Sequence, residues 1–462
     1  MALMKKVVTI LLLCGALSAS AQGITEEMLD GFREQTLTQA EKALANAIAG
    51  NTIDNLAKNY AVAEPDNQFS IETTAQSITN QESSGRCWMF SGCNVIRADF
   101  AKRTDSLTLE LSHSFLFFYD QLEKANLCLQ GIIDCADKPI DDIRVRFFFK
   151  NPINDGGTFC GVADLVDKYG LVPKSIMPET NSTDNTRTMS RLISSKLRED
   201  GLELRKMIAE GKSSDEVQEA KTKMLGTIYR ILTLTIGEPP MTFSYAFKGR
   251  DGKAIGKAKT YTPKEFAQEV VGKELNGSFI MVMNDPRREY YKTYEVEYDR
   301  HLYDGHNWIY LNLPMEDIEQ MAIASLKDGH KLYSSYDVAK MLDRTKGYAD
   351  TENYNYEALL GTTFGMDKAQ RINTFDSGST HAMTLTAVDL DDNEKATKWK
   401  VENSWGASWG QNGCLIMTDR WMREYMFRLV VNKEYVPKNI LKLLEQQPIM
   451  VMPEDPLFQN DI

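Results

Sequence analysis

Four short runs between residues 375 and 432, MTLTAV, KWKVEN, CLIMTD and FRLVVN, place β-branched and aromatic residues in alternation with polar ones. A period of two lines up one set of side chains on a buried face, so this stretch is expected to fold as an antiparallel sheet or barrel. The first part of the chain reads differently. After Cys87, the residues Met89, Cys93, Ile96 and Phe100 recur at spacings of four, three and four, the stripe of a buried helix. A second helix is expected over 112–123. A third is marked by Val162, Leu165, Val166 and Tyr169 and stopped by Gly170 and Pro173.

Residues 190–236 are long, charged and helix-favouring, and Pro239-Pro240 ends them. Their alternating charges read as a solvated helical face. Thr262-Pro263-Lys264-Glu265 has the form of a capping box opening another helix. Strand-like pieces follow at 278–283, 293–298 and 308–311. Helices, a helical insertion and then strands make an α+β chain.

The N-terminus carries Lys5 and Lys6, an apolar run from Val7 to Leu17 and the small residues Ala19-Ser20-Ala21. This is the pattern of a cleavable export leader at 1–21, with Gln22 as the mature start. The run is shorter than the roughly 20 apolar residues of a spanning helix. Leu13 precedes Cys14 where a lipid-modified cysteine would need a small residue, so no stable membrane anchor is expected. Export to the periplasm or the medium is the reading. The 53 basic and 65 acidic residues become 51 and 65 once Lys5 and Lys6 leave, a balance of −14. Such a chain is a poor general binder of nucleic acid. Six cysteines remain, Cys87, Cys93, Cys128, Cys135, Cys160 and Cys414, without a paired metal-ligand spacing, so neither metal nor cofactor is expected. Cys128 and Cys135 are close enough in sequence to be considered for a disulfide.

The chemistry begins at Gln81-Glu-Ser-Ser-Gly-Arg-Cys87-Trp88. A thiol at a helix start meets unpaired N–H groups and the helix dipole, both of which favour the thiolate. The Cys87 N–H and a Gln81 amide would supply two donors to an oxyanion. Gly85 would let the chain approach closely just before the helix. A cysteine so placed is by itself more often a buried structural residue. What singles out Cys87 is its surroundings and a second motif downstream: His381 heading an apolar strand, then Asn403-Ser-Trp405-Gly406-Ala-Ser-Trp409-Gly410-Gln-Asn-Gly413. Asn403 would hold one ring nitrogen of His381, and Trp405 would shield that bond from water. Of the other four histidines, His113 sits among phenylalanines and reads as structural, while His301, His306 and His330 have no partner motif.

QESSGRCW, the HAMT strand and ENSWGASWGQNG together resemble the papain superfamily of cysteine peptidases, in its order Cys, His, Asn. The 294 residues from Cys87 to His381 far exceed the ~130–150 usual in papain itself. With ELSHSFLFFYDQLEK, GLVPKSIMPET, YEVEYDRH and ASLKDG in that gap, the chain resembles the bleomycin hydrolase and bacterial aminopeptidase C family.

The resemblance implies a papain-like fold with a helical left domain, a β-barrel-like right domain, a large helical insertion and a C-terminal arm. The segments would be a leader at 1–21, a helical extension at 22–75 and a helical domain with Cys87 at 76–180. The insertion would follow at 181–275, a β-rich domain with His381 and Asn403 at 276–450, and the arm at 451–462. It gives Cys87, His381 and Asn403 the catalytic roles and Gln81 the oxyanion role. It places Asp155, Gly156, Gly157 and Trp405 in the substrate cleft, the glycines pairing with extended peptide. Ser84 stands where many relatives carry a disulfide cysteine.

It further implies aminopeptidase action on peptides, a homohexameric ring, and an arm whose terminal carboxylate, Ile462 or Asp461 here, meets the substrate amine. Two features depart from the family: the export leader, and a tail reading Glu454-Asp455-Pro456 and then LFQNDI. The alternatives are an endopeptidase or dipeptidyl peptidase enabled by that tail, and a non-catalytic papain-like scaffold.

Overall fold

The computed structural model describes residues 23–457 apart from 35, 105, 106 and 454. The expected leader, Glu454, Asp461 and Ile462 lie outside the described residues. Among those described, the residues up to 59 together with 354–363 form one compact unit, and 60–353 with 364 onward form another. In the first, helices Glu26–Glu34, Gln39–Gly50 and Ile53–Ala57 are joined by the short helix Tyr356–Leu360. Asn355 donates its N–H to the Ala57 carbonyl at 2.7 Å. The helical extension therefore closes at Ala57, and Ile71–Glu72 already pairs into the sheet of the second unit.

That unit opens its helical part with α1 (Cys87–Thr104) and α2 (His113–Asp134). The N–H groups of Met89 and Phe90 both donate to the Arg86 carbonyl, which starts α1 at the cysteine. The expected stripe of Met89, Cys93, Ile96 and Phe100 is buried, but so is nearly every α1 residue from Trp88 to Arg97. A helix covered all round shows no clean period in its sequence. The second helix runs to Asp134, well past the expected 123. Its first turn is capped by the Ser112 hydroxyl, which accepts from Phe115 N–H.

Helix α3 (Phe159–Tyr169) ends at Gly170 as expected. The insertion is a pair of long helices, α4 (Arg187–Ala209) and α5 (Ser214–Ile236), the latter opened by a Ser213–Glu216 capping box. Thr262 and Glu265 form the expected box before α6 (Pro263–Val271).

The strands along the main path of the large sheet, in chain order, are β1 (Phe279–Met283), β2 (Lys292–Val296), β3 (Ile309–Asn312), β4 (Leu332–Tyr336), β5 (Leu342–Asp343), β6 (Tyr348–Ala349), β7 (His381–Leu390), β8 (Ala396–Glu402), β9 (Cys414–Thr418), β10 (Met426–Asn432) and β11 (Ile449–Val451). They pair in the order β5-β6-β9-β8-β7-β4-β10-β1-β3-β2-β11. The four runs that announced the sheet are all strands, but β10 is not beside β9. From β9 the chain passes β8, β7 and β4, and β10 pairs antiparallel with β4 and β1. Alternation reports which face is buried and is silent about which strand is the neighbour. The strand pairings make an open path, and none among the described residues joins β5 to β11. No described helix is long and apolar enough to cross a membrane.

Candidate active site

The loop before Cys87 is lashed down from both sides. Gln81 N–H donates to the Ser404 carbonyl at 2.9 Å and Gly406 N–H to Thr79 at 3.1 Å, tying 79–81 to the stretch after β8. Ser83 N–H donates to Asp184 at 2.8 Å. Between them Glu82 takes a left-handed φ of 51°, a costly conformation for a side-chain-bearing residue that the flanking bonds hold in place. Arg86 is fully buried; it pairs with Glu179 at 2.9 Å, donates to the Thr183 carbonyl at 2.8 Å and lies over the Phe90 and Phe117 rings. Gly85 permits the close approach expected of it, since a Cβ there would meet Asp155 Cβ at 2.8 Å. The Asp155 carboxylate accepts from Gly85 N–H and from the Thr186 and Ser190 hydroxyls. Its bonds thus fasten the loop before Cys87 to α4.

At the other face, β7 begins at His381. Ala382 N–H points at the Cys87 sulfur from 3.5 Å, which brings the head of the strand against the start of α1. His381 Nε2 lies 2.7 Å from Asn403 Oδ1. The same Oδ1 accepts the Ser404 N–H at 2.8 Å, so that atom is an acceptor and Nε2 must carry the proton. Nδ1 is then the basic nitrogen left for the Cys87 thiol. Trp405 stacks against the imidazole with ring centroids 4.8 Å apart. Burial is the main influence on His381 and, with the charge of Arg344, pushes it down to about 4 against the upward pull of the Asn403 bond. Burial thus favours the neutral imidazole, and a neighbouring negative charge would favour the cation.

Gln81 lies in the same cleft, of ≈ 650 Å³, with Cys87, Asp155, Gly156, Gly157, His381 and Trp405 among its lining. Its Oε1 accepts from the Ser404 hydroxyl at 2.6 Å and its Nε2 donates to the Ser84 carbonyl at 2.5 Å. Because Ser84 O can only accept, the amide orientation follows, and Nε2 keeps a second N–H. Ser404, two residues before Gly406, thus orients both Asn403 and Gln81. Nothing in its sequence position had marked it.

Gly157 and Gly161 are small for a packing reason that the sequence did not show. A Cβ on Gly157 would strike His301 at 2.2 Å and Trp88 at 2.8 Å, and one on Gly161 would strike His301 at 2.4 Å. His301 is buried and bonded through Nδ1 to Asp120 at 2.5 Å. Lys124 pairs with Asp120 at 3.0 Å and donates to the carbonyls of Asn154 and Gly156 at 3.0 and 2.7 Å. A buried charge cluster on α2 therefore holds the cleft wall in place. His306 and His330 also have carboxylate partners, Asp164 and Asp99, each at 2.7 Å.

His113 is structural as expected: it stacks on Phe90, and burial pushes it down to about 3. Cys93 is buried on α1, and desolvation pushes its thiol up to about 12, an inert residue. Cys128 and Cys135 are buried thiols without a disulfide between them. Among the described residues, no three His, Cys, Asp or Glu side chains are arranged to hold a metal ion.

Residues 23–458 match the Peptidase C1-like family. The chain belongs to that family. This Peptidase C1-like chain is 38% identical to Aminopeptidase C of Lactobacillus delbrueckii subsp. lactis over 419 residues, 89% of this chain and 93% of the relative. It is 36% identical to human Bleomycin hydrolase over 451 residues, covering 95% and 99%. Among solved structures it is similar to PepW from Lactobacillus rhamnosis, with a TM-score of 0.89, 35% identity and coverage of 95% and 99%. The fold is that of a papain-like peptidase.

Proposed function

We propose that this chain is an exported cysteine aminopeptidase, removing residues from the amino end of peptides through an acyl-enzyme. The observation that carries the reading is the convergence of Cys87, at the start of α1, with the His381–Asn403 pair at the head of β7. The relatives named Aminopeptidase C and Bleomycin hydrolase support the aminopeptidase part of it. His381 Nδ1 takes the thiol proton and the thiolate attacks the scissile carbonyl carbon. The oxyanion is received by the Cys87 N–H and the second Gln81 amide N–H. The imidazolium gives its proton to the departing amine, leaving a thioester. Water then attacks, with His381 as base, and the thiol is restored.

Gly156 and Gly157 would offer backbone groups to the extended peptide, and Trp405 would bound the primed side. In this reading the papain-like layout has a helical part carrying Cys87, a strand part carrying His381 and Asn403, an insertion at 181–275 and an arm at 451–462. The arm's terminal carboxylate, of Ile462 with Asp461 beside it, pairs with the substrate ammonium, which selects free amino termini. Copies assemble as a hexameric ring. N-terminal sequencing of exported protein, expected to begin at Gln22, and its solution mass check the leader and the ring.

The test of amine selection compares free with N-acetylated peptides on the full chain and on a chain trimmed after Phe458. The full chain should refuse acetylated peptides, and trimming should admit them. Acceptance by the full chain favours the endopeptidase reading. An unchanged refusal after trimming removes the arm from the account.

A further inference from the structure

A second cavity lies along the far half of α1. Arg97, Ala98, Ala101 and Lys102 line it, and its volume is ≈ 870 Å³ against ≈ 650 Å³ for the Cys87 cleft. The two share no lining residue. Among the described residues its wall carries six cationic side chains, Arg97, Lys102, Lys174, Lys248, Arg250 and Lys331, and one carboxylate, Glu110. That reverses the balance of the whole chain, whose net charge is −12.

The nearby carboxylates do not balance these cations. Arg97 and Lys331 are both buried and share the single carboxylate of Glu402, at 3.1 and 2.9 Å. Lys331 makes no other hydrogen bond among the described residues, so two of its N–H groups stay available. Lys174 pairs with Glu110 at 3.0 Å and Lys102 with Asp328 at 3.1 Å. The side chains of Lys248 and Arg250 have neither an ion partner nor a hydrogen bond among the described residues. Their backbone is nonetheless fixed: Lys248 pairs with Thr108, and Gly249 N–H donates to the Lys253 carbonyl at 2.9 Å. Six cations thus meet three carboxylates, Glu110, Asp328 and Glu402, which leaves a positive surplus at a concave site.

The rest of the wall asks for more than negative charge. The Gln76 side chain makes no hydrogen bond among the described residues, and its Oε1 is buried. Beside it the extended chain loses its backbone partners. Thr73 N–H donates to the Thr386 carbonyl at 3.0 Å, but Thr74, Ala75 and Gln76 have no such bond among the described residues. Tyr245, Pro173 and Pro178 supply apolar wall. A complementary ligand therefore carries several negative groups set apart, N–H donors and some apolar surface. Inorganic phosphate gathers its charge at one point. A nucleic acid brings a continuous polyphosphate, which a chain of net charge −12 repels. A peptide rich in Glu or Asp brings all three features, and the cavity falls within the roughly 300–1,000 Å³ of ligand sites.

We propose that this cavity is a binding site for acidic peptides, separate from the Cys87 cleft. Lys248, Arg250 and Lys331 take the carboxylates, and the 74–76 segment pairs with the peptide backbone. Binding there does not depend on what the Cys87 cleft cuts, and its test needs no turnover.

The test follows the fluorescence anisotropy of a labelled, N-acetylated pentaglutamate amide titrated with the full chain, Cys87 being alkylated so that nothing is cleaved. Saturable binding is expected, at least about tenfold tighter than that of the matching pentaglutamine peptide and weakened by added salt. The double substitution Lys248→Ala with Arg250→Ala should weaken it by roughly tenfold or more. Both side chains are exposed and without partners among the described residues, so the fold should survive their loss. Arg187→Ala is the control, because Arg187 lines the Cys87 cleft and not this cavity, and it should leave binding unchanged. Absence of saturable binding, equal affinity for the two peptides or an unaltered affinity in the double variant overturns the site. Loss of binding in Arg187→Ala alone moves it to the Cys87 cleft and overturns it too. Displacement of the peptide by an equal concentration of inorganic phosphate, or tighter binding of a single-stranded oligonucleotide, overturns the peptide assignment. A changed solution mass in the double variant would also overturn it, because the cavity would then hold a second copy of this chain.

Discussion

Cys87→Ala should abolish hydrolysis of an aminoacyl fluorogenic amide, a loss of about 10⁴-fold or more, as for other enzymes stripped of their nucleophile. Alkylation of the same thiol should do the same. The substitution removes one sulfur at a partly exposed position, and the helix start at Arg86 is made by backbone bonds that alanine keeps. Folding should therefore survive, which thermal melting checks alongside the assay. The competing thiols are set apart by burial: desolvation pushes Cys93 up to about 12 and also raises Cys128 and Cys160. Activity that outlives either treatment would mean that the thiolate mechanism is wrong, and a scaffold role would be supported if the native chain were itself inert.

The second large effect is expected at Gln81. Gln81→Ala should lower kcat by about 10²–10³-fold with little change in KM, because an oxyanion donor acts on the transition state and hardly on the bound peptide. Its neighbour offers an internal control. Ser404→Ala leaves the Gln81 amide in place but removes the hydroxyl that holds its oxygen, so kcat should fall less, by roughly tenfold. A loss confined to KM in Gln81→Ala would place the side chain in ground-state binding and leave the oxyanion to the Cys87 N–H alone.

The parts of this site that were legible are those written in adjacent residues. A cysteine at the mouth of an apolar stripe, a histidine heading a strand and an asparagine in a Trp-Gly-rich turn each carry a local pattern. The supports were not legible, because their partners lie far apart in the chain. Asp120 meets His301 across 181 residues, Arg287 meets Asp455 across 168, and Arg97 meets Glu402 across 305. No periodicity reports such pairings.

Gly157 shows the difference most clearly. Its lack of a side chain was visible, but the close packing of His301 and Trp88 against it exists only once the fold is formed. Helix α1 was under-read in the same way. Its buried stripe is real, yet Asn94 and Arg97 are buried too, because Arg97 and Lys331 share the carboxylate of Glu402. That carboxylate sits one residue before Asn403, so the strand end that presents Asn403 is held by a buried ion cluster. The strand order failed to follow from the runs for a related reason, since a crossing from β9 to β10 leaves each strand's own alternation untouched.

The central claim is that Cys87 is the nucleophile of a site that requires a free amino terminus. A matched pair of aminoacyl acyloxymethyl ketones, one with a free amine and one acetylated, tests both halves at once. Peptide mapping of the labelled protein should find the free-amine probe on Cys87 alone and the acetylated probe on no cysteine over the same time. Equal labelling of Cys87 by both probes, or labelling at any other cysteine, would contradict it.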